Sequence, residues 1–191
     1  KREQMILCGS KSVASYDPAS GKRHWIIDGP TEQFVASMVY NGKYAFVTGG
    51  FPERHILAIR PEGRGNVTET HIAWRATRGA AYVPSPIVVG PYFLVVSDSG
   101  IASCFKAEDG TRFWMERLGG GHSASAITTS GLAYFVSDRG ITTVLKPGPK
   151  FEVIAKNDLK ELVSSSPAIS QGQIFIRGQK HLYCIGNKSK N

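Results

Sequence analysis

Apolar and polar positions alternate along this chain in short runs, each closed by a turn that carries a glycine. Four runs align: "SMVYNGKYAFV" from Ser37, "SPIVVGPYFLV" from Ser85, "SAITTSGLAYFV" from Ser125 and "SPAISQGQIFI" from Ser166, their serines 48, 40 and 41 residues apart. Behind each serine comes a short apolar strand, a turn holding Gly42, Gly90, Gly131 or Gly172, and a second, aromatic-rich strand. Runs this short, rich in β-branched and aromatic residues, predict strands rather than helices, and glycine supplies the positive φ of a tight hairpin. A third strand follows in "SDSGIASCF" and "SDRGITTVL", and a fourth carries a tryptophan, as in "HIAWRAT" and "TRFWMERL". Around "NDLKEL" the pattern loosens and predicts a turn.

Four short antiparallel strands in ~40 residues is the size of a propeller blade. The predicted fold is all-β, a single domain of about 4–5 β-propeller blades, each of four antiparallel strands. The blades fall at residues 37–78, 85–118 and 125–157, with partial blades at 1–28 and 166–186. A sandwich or barrel would also supply many short strands, but not this register of serine, glycine and tryptophan.

The turn between the third and fourth strands reads "YDPASGKRHW" at residues 16–25 and "FKAEDGTRFW" at 105–114. Asp17 starts the turn, Pro18 presets φ for the next position, and Gly21 takes the left-handed one, as Gly110 does in the second copy. Trp25, Trp74 and Trp114 are thereby set at a fixed depth on the outer strand, where a large ring packs against the neighbouring blade as a pin. The tryptophans are 49 and 40 residues apart, the excess lying in "RPEGRGNVTETHIAW", read as a lengthened turn. The last full blade has "KPGPKFEVIA" in the same place and lacks the pin.

These residues resemble the tryptophan-docking motif of the pyrroloquinoline-quinone (PQQ)-like β-propeller repeats, roughly A-x-D-x-x-T-G-x-x-x-W, with Tyr16 in place of the alanine and Ser20 of the threonine. "YVPSPIVVGPYFLVVSDSGIASCF" and "SSSPAISQGQIFIRGQKHLYCIG" are similar to the closing repeats of BamB-like bacterial proteins of this kind. The resemblance implies a ring of seven or eight blades, so that the chain reads as a C-terminal half. A missing N-terminal half, or a second copy in a homodimer of half-propellers, would cover the open blade faces. It further implies a non-catalytic module that binds or scaffolds protein in the periplasm or cell envelope, with no cofactor expected. The alternative is part of a quinoprotein dehydrogenase, using PQQ and Ca²⁺, or of a carbohydrate-acting propeller enzyme whose catalytic residues lie in absent blades.

Composition narrows the chemistry. The 191 residues carry 23 basic and 15 acidic side chains, a net charge of +8, but the basic ones are scattered without interleaved aromatics, which points to a solvated basic surface rather than a nucleic-acid site. No apolar run reaches the ~20 residues of a membrane helix. Cys8, Cys104 and Cys184 lie far apart in apolar runs, form no CxxC, and read as small buried hydrophobes. His24, His55, His71, His122 and His181 form no metal-type pair and read as surface residues. "GHSAS" at 121–125 lacks the second glycine of a nucleophile elbow and precedes a strand, and "GGGH" at 119–122 is not followed by the Lys-Ser/Thr of a phosphate loop. Asn66 and Asn187 begin glycosylation-type triplets. Asp98 and Asp138 recur in "SDSG" and "SDRG", and the equivalence predicts carboxylates bonded to local backbone. Propeller geometry brings "AYVPS", "GGHSAS" and "LVSSS" to one axial mouth, with the turns "SDSG", "SDRG" and "RGQK" around it. The candidate binding residues there are Tyr82, Asp98, His122, Ser123, Arg139 and Lys180.

Overall fold

Strands in the middle of a blade are buried on both faces, which is why they read as near-continuous apolar runs rather than strict alternation. The computed structural model describes residues 2–186, and they form five successive sheets. The first contains β1 (Met5–Gly9), β2 (Ser12–Tyr16) and β3 (Arg23–Asp28). The second contains β4 (Val39–Tyr40), β5 (Ala45–Gly49), β6 (His55–Ile59) and, after β7 (Gly65–Asn66), β8 (Ile72–Ala76). The third is β9 (Ile87–Val89), β10 (Tyr92–Val96), β11 (Ile101–Lys106) and β12 (Arg112–Arg117). The fourth is β13 (Ile127–Thr129), β14 (Leu132–Val136), β15 (Ile141–Leu145) and β16 (Val153–Asp158). The fifth has β17 (Ala168–Ser170), β18 (Gln173–Arg177) and β19 (Leu182–Ile185). Within each sheet the strands of the blade are antiparallel and in chain order. The innermost β9 approaches both β4 and β13, as blades around a common axis require.

Successive blades are joined by tryptophan. The indole Nε1 of Trp25 donates to the Pro61 carbonyl (2.9 Å), that of Trp74 to Ala107 (3.0 Å) and that of Trp114 to Gly148 (3.0 Å), each acceptor lying in the next blade. Gly110 (φ +75°) lies under the Trp74 ring, where a Cβ would come within 2.7 Å of it. Gly21 has the same sign of φ (+70°) but open space around it, so turn geometry alone requires it. Asp17 organises that turn, its Oδ1 accepting from the Ala19 and Ser20 amides at 3.0 and 2.8 Å.

A β-bulge aims these rings. Cys104 pairs with Trp114 but Phe105 pairs with Arg112, leaving Phe113 as the extra residue. The same one-residue shift precedes Trp25 and Trp74, and it recurs in the fourth blade at Val144 and Leu145, where Ala155 stands in the tryptophan position. A bulge bends its strand and redirects the next side chain, so the pin geometry is built even where the pin is absent.

Two expectations need correction. The stretch "RPEGRGNVTETHIAW" is more than a lengthened turn: it carries β7, which pairs parallel with β3 of the preceding blade (Trp25 with Gly65, Ile26 with Asn66) and covers that outer edge. Asn66 belongs to this clasp, its Nδ2 donating to Asp28 at 2.6 Å, while Asn187 lies outside the described residues. The cysteines are not uniformly buried either. Cys104 is buried, with its thiol pushed up to about 12 by desolvation, Cys8 is half-buried against the core between the first two blades, and Cys184 is exposed on β19.

Candidate functional site

The loops that lead into β9, β13 and β17, and the turns between the second and third strands of each blade, lie on one face and hydrogen-bond to each other. The Asp138 amide donates to Gly121 (2.8 Å) and the Gln179 amide to Leu162 (2.9 Å). The repeated serines knit this face together. The Ser37 amide donates to Ser85 Oγ (2.9 Å), the Ser85 amide to Ser125 Oγ (3.0 Å), and the Ser125 amide to Ser166 Oγ (2.9 Å). The 40- to 48-residue period of serines is thus a relay from blade to blade.

Carboxylates fix the loops further out. Asp98 accepts the Tyr82 and Val83 amides, both at 3.0 Å, and Asp138 accepts the Ser123 amide at 2.8 Å. Each ties the turn of its blade to the loop that enters the same blade, 15 or 16 residues upstream, rather than to its own turn. Gly121 is required beside Asp138, since a Cβ there would come 2.5 Å from the carboxylate. Between the fourth and fifth blades Glu161 does the tethering. One oxygen accepts the amides of Lys180 and His181, and the other meets His181 Nδ1 at 2.8 Å and the Tyr183 hydroxyl at 2.6 Å. These partners, the Tyr183 hydroxyl foremost and the Lys180 amide next, hold the Glu161 carboxyl down at about 2.

The six candidate residues divide into anchored and free. Tyr82 is half-buried, with its hydroxyl on Gln33 (2.6 Å) and its Cβ so close to Gly50 that a side chain there would collide with it. Asp98 is committed to its two amides. His122 is 2% exposed, so neither the surface histidine nor the mouth-lining ligand expected of it describes its position. Its amide bonds the Asp98 carbonyl, as the Val163 amide bonds the Asp138 carbonyl one blade on. The imidazole therefore occupies the slot that buried Val163 fills in the next repeat. Neither ring nitrogen makes a well-formed hydrogen bond, and burial pushes the ring below its ordinary pKa against the opposing pull of the Asp138 charge and the Gly120 backbone. Of the remaining histidines, His181 is exposed and His24, His55 and His71 are half-buried.

Ser123, Arg139 and Lys180 are exposed on this face. On other loops of the same face stand large apolar side chains left in solvent: Val35 (53% exposed) and Phe51 (55%) in the second blade and Leu162 (56%) before the fifth. Leu162 borders an open depression of about 400 Å³ that Ser164, Ser165, Arg177 and Gln179 also line. The candidates drawn from sequence do not include Gln33, Val35, Phe51, Glu161 or Leu162, although Leu162 opens the "LVSSS" stretch placed at the mouth. The last two lie side by side in the "NDLKEL" turn. Among the described residues no group of three His, Cys, Asp or Glu side chains is placed to hold a metal ion, and no helix is long and apolar enough to cross a membrane.

The family described as outer membrane protein assembly factor BamB matches residues 9–143. BamB from Moraxella catarrhalis superposes with a TM-score of 0.51 at 11% identity, over 94% of this chain and 68% of that one. The computationally designed Ika8 protein superposes with a TM-score of 0.68 at 8% identity, over 96% of this chain and 58% of its own. The chain therefore spans about three fifths to two thirds of these structures. No curated protein sequence matches it.

Proposed function

This chain belongs to the PQQ-like β-propeller family of the outer membrane protein assembly factor BamB, and from that membership we propose that its loop face binds a protein partner in the cell envelope. The observation that carries the reading is the company of exposed Val35, Phe51 and Leu162 with Arg139 and Lys180 on loops held rigid by the serine relay and the carboxylate tethers. Leu162 beside an open depression of about 400 Å³ offers an apolar anchor point, and a polar, charged surround is the usual rim of such an interface. Loops already fixed in the free protein lose little conformational entropy on association. The partner takes an acidic, partly apolar segment into this face, with Leu162 and Phe51 as anchors and the two cations setting orientation and on-rate. The module acts by binding and scaffolding, without a bound cofactor.

Two measurements test this. Titration with PQQ and Ca²⁺ gives no saturable uptake and no dye reduction; saturable uptake coupled to redox turnover overturns the reading in favour of a quinoprotein. A variant with Arg139→Glu, Lys180→Glu and Leu162→Asp keeps its unfolding midpoint but no longer retains the envelope protein that the parent chain captures. Equal retention by both contradicts the assignment of this face.

A further inference from the structure

We infer that the fifth blade's share of the loop face, which the proposed function gives to a protein partner, is the receptor for one carboxylate side chain of that partner. In the third and fourth blades the chain supplies this carboxylate itself. Asp98 accepts the amides of Tyr82 and Val83, and Asp138 accepts that of Ser123. The Gln179 amide donates to Leu162 as the Asp138 amide donates to Gly121. Gln179 therefore stands in the place of Asp138, and Ser164 in that of Ser123, two residues beyond the bonded carbonyl in each loop. The fifth blade lacks the carboxylate, and the Ser164 and Ser165 amides find no acceptor among the described residues.

Glu161 holds this blade together without it. Its carboxylate runs the tether in the opposite direction, from loop to turn, and takes the Lys180 and His181 amides. His181 Nδ1 and the Tyr183 hydroxyl complete its surroundings, so this charge is spent inside the fold. The loop amides that aspartates cap in the two preceding blades are thereby released.

A second departure falls in the same turn. Two residues before Asp98 and Asp138 stand Val96 and Val136; two before Gln179 stands Arg177. The turn has lost an acid and gained a base. Leu162, Ser164, Ser165, Arg177 and Gln179 meet around the depression of about 400 Å³, and Arg177 is the one charged group in its lining. Arg177 Nη1 donates to the Gly178 and His181 carbonyls at 2.6 and 3.2 Å, which orients the guanidinium and leaves Nε and Nη2 to a ligand. The Ser165 hydroxyl donates to the Arg177 carbonyl at 2.8 Å and fixes the loop against the strand. Donors held in place before binding lose little freedom when the ligand arrives.

These donors select the ligand. Backbone amides and a guanidinium make charge-assisted bonds to a carboxylate, whose two oxygens match the planar fork of arginine. One positive charge balances one carboxylate. Leu162 at the lip adds an apolar contact, so an acidic residue with an aliphatic neighbour fits better than a free anion.

Amide NMR of the full chain titrated with the peptide acetyl-Gly-Glu-Leu-Gly-amide tests this. Binding saturates at one equivalent, and the Ser164 and Ser165 amides move downfield as they gain an acceptor. The peptide with glutamine in place of glutamate binds at least about tenfold more weakly, and Arg177→Gln weakens binding of the glutamate peptide by a similar factor, the size expected for hydrogen bonds to a charged group. Gln179→Asp returns the carboxylate that Asp138 supplies one blade earlier, occupies the Ser164 amide and excludes the peptide. Acetate and inorganic phosphate, which lack the aliphatic neighbour, bind more weakly than the peptide. Absence of saturable binding, equal binding of the glutamine peptide, or undiminished binding to either variant overturns the inference. Acetate or phosphate bound as tightly as the peptide also overturns it, in favour of a small-anion site. An envelope protein still captured through Arg139, Lys180 and Leu162 in any of these events leaves the proposed function standing, so the two readings are judged separately.

Discussion

At the scale of single residues, His122 is the position where side-chain chemistry and environment disagree most. It is buried, neither ring nitrogen makes a well-formed hydrogen bond, and the Asp138 charge and the Gly120 backbone only partly offset the burial that holds the ring neutral. Above the ordinary imidazole value of 6.5 the ring is neutral in folded and unfolded chains alike, and stability does not depend on it. As pH falls below 6.5 the unfolded chain takes up the proton first, so stability drops until the folded ring titrates as well. His122→Val, which copies Val163, is expected to raise stability at neutral pH by about 1–3 kcal/mol, the cost of leaving buried polar atoms unpaired. It also removes that part of the acid-side loss. Urea unfolding of both proteins at pH 7.5 and pH 5.5 measures this; a variant less stable at both contradicts it. Glu161 behaves in the opposite sense: its carboxyl, held at about 2, stabilises fully above 4.5 and loses that contribution as pH falls toward its folded value.

At the scale of elements, two devices join the blades, and magnitudes separate their roles. Trp114 is 9% exposed and packs edge-on against Phe151, with ring centroids 5.1 Å apart. Its truncation to alanine is expected to cost about 3–5 kcal/mol. Ser125→Ala removes one hydrogen bond and strands the Ser85 amide, costing ~1 kcal/mol. Denaturant midpoints decide between these, and a serine loss equal to the tryptophan loss contradicts the division. The tryptophans hold blades together and the serines set their register. The sequence made the blades legible because both devices repeat every 40 or so residues. What it hid is whatever depends on a partner far along the chain. The serine hydroxyl bonds an amide of the preceding repeat, Asp98 and Asp138 reach loops upstream of their turns, and β7 is a Gly-Asn pair with no alternation to announce it. The bulge before each tryptophan is one extra residue, which a spacing pattern absorbs without notice.

At the scale of the whole molecule, five sheets leave two open ends. Leu182 is exposed on the last sheet, and Met5 and Leu7 on the first. Apolar faces and unpaired strand edges of this kind invite pairing with another chain. The isolated 191-residue chain is accordingly expected to self-associate, with a mass by light scattering above its 20.7 kDa; a compact, concentration-independent monomer contradicts this. The proposed binding surface is the loop face, where the six residues chosen from sequence divide: Ser123, Arg139 and Lys180 are exposed, Asp98 and His122 are bound into the fold, and Tyr82 anchors its loop. Val35 and Phe51 escaped notice because a single exposed apolar residue in a loop looks the same in sequence as a buried one, and Leu162 entered only as part of "LVSSS". The most direct test of the binding face is site-specific photo-crosslinking in the cell envelope. A crosslinker is placed in turn at Ser123, Arg139 and Lys180, and on the opposite face at Lys43 and Glu108, which form an ion pair there at 2.6 Å. One protein captured from the three loop-face positions and not from the other two is the predicted result. Capture from the opposite face alone, or equally from both, contradicts the account.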